Sequence, residues 1–367
     1  MVTTRTAVDL ELLLFQIAEG LQLPPSLDSE VHSHYDALTS YLAEGSLAPL
    51  HPELYAQGSY RLNTVVKPLT RDEFDLDFVV ELKTPNSTNP ATVFDLVASE
   101  VERNQHYAGK VVRKKRCIRV SYSQDFHLDI VPTIPDPSRG GTFLLMPCRD
   151  TDGVKWERTN PKGYVSWFGA LAERAIAEKR AEVEPLPPQR PASEKSALQV
   201  AVQLVKRNHQ ISVSDEALRT PSILLTTMVA DASTACVSVQ DCMASMIEAM
   251  IAQAANPVAI YNPVNPGEVL NAKWSNQAVL AAFRRHAESL SSQWRTLVSS
   301  LGSGYPAVLD LLKEMFGEPA VQRAARAVGE NMGRLSQEGR LRTLSGGMLT
   351  ISPAGKGNPP KTFYGNG

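Results

Sequence analysis

Residues 57–81 read QGSYRLNTVVKPLTRDEFDLDFVVE, and the second half of this stretch alternates apolar and acidic side chains. A strand points alternate side chains to one face, so Asp75 and Asp77 share a face with their Cα atoms about 6 to 7 Å apart. Carboxylates this close repel one another unless protons or cations lie between them. Mg²⁺, which prefers oxygen ligands, suits such a pair. The stretch therefore predicts a strand that carries a cation site, and the alternative is the polar face of an exposed strand.

Upstream of the acidic pair lies a turn of small residues, Gly58-Ser59. Backbone N–H groups in such a turn can surround a phosphate, and the serine hydroxyl can join them. A plain turn before an exposed strand is the competing interpretation.

A third carboxylate lies on a later segment with the same alternation. Residues 125–131 read DFHLDIV, with His127 and Asp129 on one face and Leu128 and Ile130 on the other. If this strand lies beside the first, Asp129 completes a cluster of three carboxylates. Such a cluster can hold two Mg²⁺ ions about 4 Å apart, which together stabilise the attacking and leaving oxygens of an in-line phosphoryl displacement.

The order of these motifs resembles the nucleotidyltransferase superfamily that includes poly(A) polymerases and oligoadenylate synthases. The longer string QGSYRLNTVVKP followed by DEFDLDFVVEL is similar, more narrowly, to the bacterial cGAS/DncV-like nucleotidyltransferases. The similarity continues in NPKGYVSWF (160–168) and in NPVNPGEVLNAKW (262–274), where Val269 departs from the usual pattern, and it covers the chain from Gln57 to Trp294.

The resemblance implies an α+β, two-lobed fold. One lobe is a mixed, mainly antiparallel sheet with flanking helices, the other is a C-terminal helical lobe, and the active site lies in the cleft between them. It also implies an enzyme that joins nucleoside triphosphates into a cyclic di- or trinucleotide signal for antiphage defence, with Mg²⁺ or Mn²⁺ as cofactor. Two other activities stay open: synthesis of a linear oligonucleotide, and nucleotidyl transfer to a protein or RNA. Two non-enzymatic roles also stay open, a silent nucleotide-binding module and a structural partner protein.

The resemblance also assigns roles to individual residues. Asp75 and Asp77 bind both metal ions, and Gly58 with Ser59 positions the donor triphosphate. Asp129 binds the metal that activates the acceptor hydroxyl. Lys206, in the run VQLVKR, holds the donor triphosphate; the alternative is a cation that complements the end of its helix. For Ser222 the position at a predicted helix start, not the resemblance, suggests donation to a phosphate oxygen; the alternative is a plain N-cap.

Bulk properties exclude several other classes of protein. The chain has 367 residues, 43% of them hydrophobic, and a net charge of −2, with a pI near 6.4. No overall positive charge recruits nucleic acid, so we expect nucleoside triphosphates rather than a stable nucleic-acid partner. The N-terminal residues do not resemble a secretory signal, and no run of about 18 apolar residues exists. The four cysteines show no metal-binding spacing and fit reduced thiols, so we expect a cytoplasmic protein without a membrane partner.

Helical periodicity and proline-rich segments predict the organisation of the chain. We expect two N-terminal helices packed on the sheet, loops over residues 136–163, and helices over 193–209, 239–255 and 307–333. The proline-rich run at 181–192 separates a catalytic unit (1–182) from a helical unit (193–342), and a flexible tail follows (343–367). The basic run RKKR (113–116) is read as a solvated hairpin end, with binding of nucleic acid or triphosphates as the alternative.

The tail carries an aromatic pair, Phe363-Tyr364, within NPPKTFYGNG. A mobile segment with a short aromatic anchor suits entry into another protein's groove. In the family that the chain resembles, some members are joined to other molecules through their C-terminal residue, here Gly367. The tail therefore predicts a regulatory or conjugating protein partner; the alternative is an end with no function.

Overall fold

A seven-stranded sheet contains the strand that carries Asp75 and Asp77. The computed structural model describes residues 9–69, 74–85, 88–122, 126–172, 186–233 and 236–338, and the backbone of three two-residue strands beyond them. The strands of the sheet are β1 (Glu53–Ala56), β2 (Phe74–Glu81), β3 (Val111–Arg113), β4 (Ile118–Ser121), β5 (Phe126–Pro135), β6 (Leu144–Asp150) and β7 (Gly153–Thr159).

The order of the strands is β1-β2-β5-β4-β3, and β6 pairs with the end of β5 and with β7. Only the pair β2–β5 is parallel among the pairings described for this sheet. The prediction of a mainly antiparallel sheet is confirmed.

The β6–β7 hairpin occupies a region for which the sequence predicts loops, so that expectation is wrong. Its strands pair from Leu144–Thr159 to Asp150–Gly153. The Asp150 carboxylate accepts a hydrogen bond from the backbone N–H of Asp152 at 2.9 Å, which closes the tip. The glycine and aspartate residues that suggested loops belong to the tip and to the turn before β6.

Eleven α-helices are described in the same parts of the chain. They are α1 (Leu10–Gly20), α2 (Pro25–Glu44), α3 (Gly58–Arg61), α4 (Pro90–Arg103), α5 (Pro161–Leu171), α6 (Ala197–Ser212), α7 (Ser222–Ala232), α8 (Val239–Ala255), α9 (Gln277–Ser299), α10 (Tyr305–Phe316) and α11 (Glu318–Gln337). A small hairpin, β8 (Tyr261–Asn262) and β9 (Asn265–Val269), lies between α8 and α9.

Two hydrophobic cores divide these elements. One core lies between α2, α4 and the sheet. The other joins α1 and α5 to the C-terminal helices, and the methionines of α8 lie within it as expected. The prediction that both N-terminal helices pack on the sheet is therefore wrong for α1. This helix packs on α11 instead, so closely that a Cβ atom at Gly20 would lie 3.2 Å from the Cα of Ala320.

Local signals fix several helix ends. Ser196 and Gln199 form the predicted capping box at the start of α6, each side chain accepting from the other's backbone N–H. The single helix predicted over 307–333 is two helices, α10 and α11. Gly317 lies between them with φ +92°, a conformation that interrupts a right-handed helix and favours glycine.

The tail is described only at short backbone strands, β10 (Arg342–Thr343), β11 (Leu349–Thr350) and β12 (Lys356–Gly357). Phe363-Tyr364 and Gly367 lie outside the described residues, and the predicted units 1–182, 193–342 and 343–367 stay predictions. Of the described helices, none combines the length and the apolar character that crossing a bilayer requires.

Candidate active site

The parallel pairing of β2 with β5 brings the three predicted carboxylates together. Asp77 lies opposite Asp129, and Asp75 lies opposite His127. Neighbouring strands are about 4.8 Å apart, so the three carboxylates share one face of two adjacent strands. This is the arrangement that the sequence predicts if the two strands are neighbours.

An arginine that the sequence analysis does not single out joins this cluster. Arg119 on β4 lies opposite Asp129 in the antiparallel pair β4–β5. Its Nε and Nη2 donate to the two oxygens of Asp129 at 2.8 and 2.7 Å, and Nη2 also lies 2.8 Å from Oδ1 of Asp75. These hydrogen bonds and charges raise the pKa of the guanidinium, so it stays charged. The run Ile118-Arg119-Val120 shows that Arg119 faces away from the core, but not which residue lies opposite.

Burial and mutual repulsion disturb the ionisation of the β2 carboxylates. The pKa of Asp77 is raised to about 7, first by burial and then by the charges of Asp129 and Asp75. Burial, followed by the charge of Asp129, also raises the pKa of Asp75. A carboxyl group with its pKa near 7 lacks full compensation for its charge, and bound cations would supply that compensation.

The predicted Gly58-Ser59 turn forms the first two residues of the short helix α3 and contacts this cluster directly. Gly58 has φ +65°, and a Cβ atom at this position would lie 2.6 Å from Oδ2 of Asp77. The backbone N–H of Gln57 donates to the carbonyl oxygen of Asp77 at 2.9 Å. Only a residue without a side chain lets the turn approach the carboxylate this closely.

A cleft of about 700 Å³ opens over the cluster and is lined by both lobes. Gly58, Ser59, Asp75 and Asp77 line it from the sheet lobe, and Lys206 and Ser222 line it from the helical lobe. Of the three carboxylates, all within the described part of the chain, Asp129 alone does not line the cleft. The structure thus brings six of the seven predicted site residues to one surface, with the seventh held by Arg119.

Lys206 lies in the middle of α6, six residues before the helix ends at Ser212. The interpretation as a helix-end cation is therefore wrong. Its Nζ donates to the carbonyl oxygen and Oγ1 of Thr64 at 3.3 and 3.2 Å. Burial lowers its pKa to about 8, against the opposing effect of Asp77. A triphosphate in the cleft would restore its preference for the charged form.

Ser222 is the first residue of α7 and is exposed at the edge of the cleft. The N-cap of this helix is Pro221, and no side chain caps it. The interpretation of Ser222 as a plain N-cap is therefore wrong. Its position fits contact with a ligand in the cleft.

The RKKR run forms the tip of the β3–β4 hairpin, as predicted, with Lys114 and Lys115 exposed. Arg113 is paired with Glu102 and Asp95 of α4. Arg116 is paired with Glu157 of β7 and also lines the cleft. Two of the four basic residues are therefore structural anchors of the hairpin.

The motif at 262–274 contributes residues to which the sequence analysis assigns no role. Asn262, Glu268 and Lys273 line the cleft. Glu268 accepts hydrogen bonds from Asn262 at 2.9 Å and from Asn265 at 3.3 Å, which hold the β8–β9 hairpin in shape. The two NP dipeptides, at 262–263 and 265–266, are the sequence signal that marks this segment.

The carboxylate oxygens of this cluster are the kind of ligand that a hard divalent cation prefers. The raised pKa of Asp77 shows that nearby positive groups do not fully balance its negative charge. In the described part of the chain, however, no three acidic, histidine or cysteine side chains surround one point ready to hold a metal. The Arg119 guanidinium instead contacts oxygens of both Asp129 and Asp75.

Known proteins similar to this chain narrow its identity. Residues 14–171 match the Second Messenger Oligonucleotide or Dinucleotide Synthetase domain. The sequence is 29% identical, over the whole of both chains, to a c-di-GMP synthase of Roseivirga ehrenbergii. It is 28% identical to the cyclic dinucleotide synthase CdnG of Bradyrhizobium diazoefficiens, over 93% of this chain and 88% of the relative. These matches show that the chain is similar to the bacterial cGAS/DncV-like nucleotidyltransferases, or CD-NTases.

The chain also has the fold of a solved CD-NTase. The structure of Bradyrhizobium diazoefficiens CdnG in complex with GTP matches it with a TM-score of 0.69 and 24% identity, over 88% of this chain and 100% of that chain. The expected two-lobed architecture is confirmed, and the matches in sequence identify a nucleotidyltransferase.

Proposed function

We propose that this protein is a CD-NTase, a Mg²⁺-dependent synthase that joins two nucleoside triphosphates into a cyclic dinucleotide and releases pyrophosphate. The observation that carries the proposal is the set of three carboxylates on β2 and β5, beside the Gly58 turn and beneath a cleft shared by two lobes. The names of the two relatives support a dinucleotide product, and guanine is the first base to test because one relative binds GTP.

Asp75, Asp77 and Asp129 would hold Mg²⁺, with Mn²⁺ as a substitute. When bound, the cation neutralises charge at the attacking and leaving oxygens of an in-line displacement. Asp129 also receives the proton of the acceptor ribose hydroxyl, directly or through water, as that oxygen bonds to the α-phosphorus and pyrophosphate leaves. A second transfer in the same cleft, after the linear intermediate has rebound, closes the ring.

The other cleft residues bind and orient the donor. The Gly58 turn brings its backbone beside Asp77, so the triphosphate and the carboxylates meet at one place. Lys206 supplies a positive charge from the opposite lobe, and Ser222 supplies a hydroxyl. Most of the acceleration then comes from positioning and charge stabilisation in a partly enclosed site.

Labelled nucleotides test this proposal. The full-length protein is incubated with α-labelled GTP, ATP, CTP or UTP, singly and in pairs, with Mg²⁺ or Mn²⁺, and the products are treated with phosphatase. We expect a phosphatase-resistant cyclic product that the Asp77→Asn variant does not make. A phosphatase-sensitive product means linear synthesis, labelled protein means transfer to side chains, and unchanged nucleotides in every mixture overturn the proposal.

A role in antiphage defence extends the proposal, because the family resemblance implies signalling by the cyclic product. Cells that carry the gene with its natural neighbours should resist phage, and cells with the Asp77→Asn variant should not. Equal resistance in both strains would contradict the role in defence but not the proposed synthesis of a cyclic dinucleotide.

A further inference from the structure

Arg119 lies within the carboxylate cluster, and the proposed chemistry gives it no role. Three of its nitrogen–oxygen contacts lie between 2.7 and 2.8 Å, two to Asp129 and one to Asp75. Bidentate pairs of this kind are among the strongest hydrogen bonds that a protein makes. Both oxygens of Asp129 are engaged, and the Asp129 side chain is only 9% exposed.

A divalent cation and this guanidinium therefore compete for the same oxygens. Both are positive, and both require the face of the sheet on which the three carboxylates lie. A cation that uses Asp129 must first displace Arg119 from at least one oxygen.

We propose that Arg119 is a resident counter-cation, which holds the carboxylates in a metal-free resting arrangement and leaves Asp129 when the divalent cation binds. The proposal rests on the proposed function, because it takes the three carboxylates to be the metal ligands. Arg119 is then a positioning residue that sets the metal concentration at which the site assembles.

The surroundings of Arg119 allow this release without unfolding of its hairpin. The β3–β4 hairpin is anchored independently of Arg119, by Arg113 on Glu102 and Asp95 and by Arg116 on Glu157. The Arg119 side chain is 22% exposed, so it can rotate toward solvent while β4 keeps its backbone pairing with β5. The long, flexible arginine stem can make such a movement by changing rotamers alone.

Binding of Mn²⁺ to the full-length protein, without nucleotide, tests the inference independently of turnover. Free Mn²⁺ is measured by electron paramagnetic resonance for the wild type and for Arg119→Gln, and the melting temperature is measured with and without the metal. We expect Arg119→Gln to bind Mn²⁺ about 10- to 150-fold more tightly, the range for one charge-assisted hydrogen bond that the cation no longer has to displace. Without metal this variant should melt at a lower temperature, and saturating Mn²⁺ should recover most of the loss, because the cation replaces the missing charge.

Arg113→Gln is the matched control. Arg113 lies on the same hairpin and also pairs with two carboxylates, but those belong to α4 and not to the cleft. This variant should lose thermal stability to the same extent with and without Mn²⁺, and its Mn²⁺ affinity should equal that of the wild type. Arg119→Lys, which keeps the charge but cannot make a bidentate pair, provides a milder change and should raise the affinity several-fold.

Equal or weaker Mn²⁺ binding by both Arg119 variants would overturn the inference and identify the pair with Asp129 as purely structural. Failure of the proposed function gives a different result. In that case the wild type would show no Mn²⁺ binding that the Asp77→Asn substitution removes, and the counter-cation inference would fail with it.

Discussion

The carboxyl group of Asp77 is buried and lies beside the carboxylates of Asp129 and Asp75. The backbone at Gly58 also approaches it closely. The Asp77 pKa of about 7 means that the folded protein keeps a proton there which the unfolded chain releases near pH 4. Between those values the folded state binds more protons than the unfolded state. The contribution of Asp77 to the free energy of unfolding therefore falls as pH rises from about 4 to about 7.

We expect Asp77→Asn to abolish product formation and to stabilise the metal-free protein at pH 8 relative to the wild type. Asparagine cannot ionise, so the variant avoids the repulsion from Asp75 and Asp129. The gain over the wild type should increase by on the order of 1 kcal/mol from pH 5 to pH 8, since solvent in the cleft screens part of the repulsion. Urea unfolding in a chelating buffer at both values measures it. A variant less stable than the wild type at pH 8 would contradict this account.

A substitution of Lys206 tests the contribution of this side chain to nucleotide binding. We expect Lys206→Ala to weaken binding of a non-hydrolysable triphosphate by roughly 10- to 150-fold, the range for a lost charge-assisted hydrogen bond. Calorimetric titration measures the affinity. Lys195→Ala is the control, because Lys195 is also a buried lysine, next to the start of the same helix, but bonds to Gln22 outside the cleft. If both variants bind the analogue like the wild type, Lys206 does not contact the phosphates.

At the scale of elements, the Gly58-Ser59 turn at the start of α3 determines how closely the backbone can approach the carboxylates. Its geometry combines a positive φ with direct contact to Asp77. The chain offers a natural comparison in Gly109, which has φ +75° and where an added Cβ atom would meet no other group within 4 Å. The two glycines share the left-handed backbone conformation and differ in the contact that an added side chain would make.

We expect Gly109→Ala to lower the free energy of unfolding by about 1 to 2 kcal/mol, the strain of a left-handed residue, with no change in kcat. Gly58→Ala should bear the same strain and in addition displace the Asp77 carboxylate, so that product formation falls at least 100-fold. Denaturant unfolding and initial rates of synthesis check both variants. Near-wild-type synthesis by Gly58→Ala would mean that the turn can move away from Asp77 without loss of the site.

At the scale of the whole molecule, the cleft is lined by two lobes, and separate segments of the chain contribute to the hydrophobic core of each lobe. The first helix packs with the C-terminal helices, and the second packs on the sheet. Residues from both lobes then line one cleft, so the position of one lobe relative to the other controls the distance between Lys206 and the carboxylates.

The tail beyond the last helix is the part of the chain to which the proposed chemistry gives no role. We expect a protein truncated after residue 345 to synthesise its product in vitro at the wild-type rate and to lose protection against phage in cells. The aromatic pair at 363–364 would act as the anchor for a partner, so Phe363→Ser with Tyr364→Ser in the full chain is the narrower variant. Equal loss of synthesis and protection would place the tail in the catalytic fold, and protection by both variants would remove the partner hypothesis.

Contiguous stretches of sequence determined the local parts of this protein. The alternation around Asp75 and Asp77 predicted their strand and their common face, because a strand repeats every two residues. Ser196 and Gln199 predicted the start of α6, because a capping box needs only side chains three residues apart. The order of the motifs also pointed to the family that the sequence matches resemble, since each motif is read along the chain.

Contacts between distant segments were decided only by the tertiary structure. The pairing of Arg119 with Asp129 follows from the register of β4 on β5, which no single stretch encodes. The packing of α1 on α11 joins the first described helix to the last. This packing depends on burial summed over many side chains. The placement of Lys206 and Asp77 in the lining of one cleft depends on it in the same way. Local patterns fix which face each element buries, and only the folded chain decides which other element covers it.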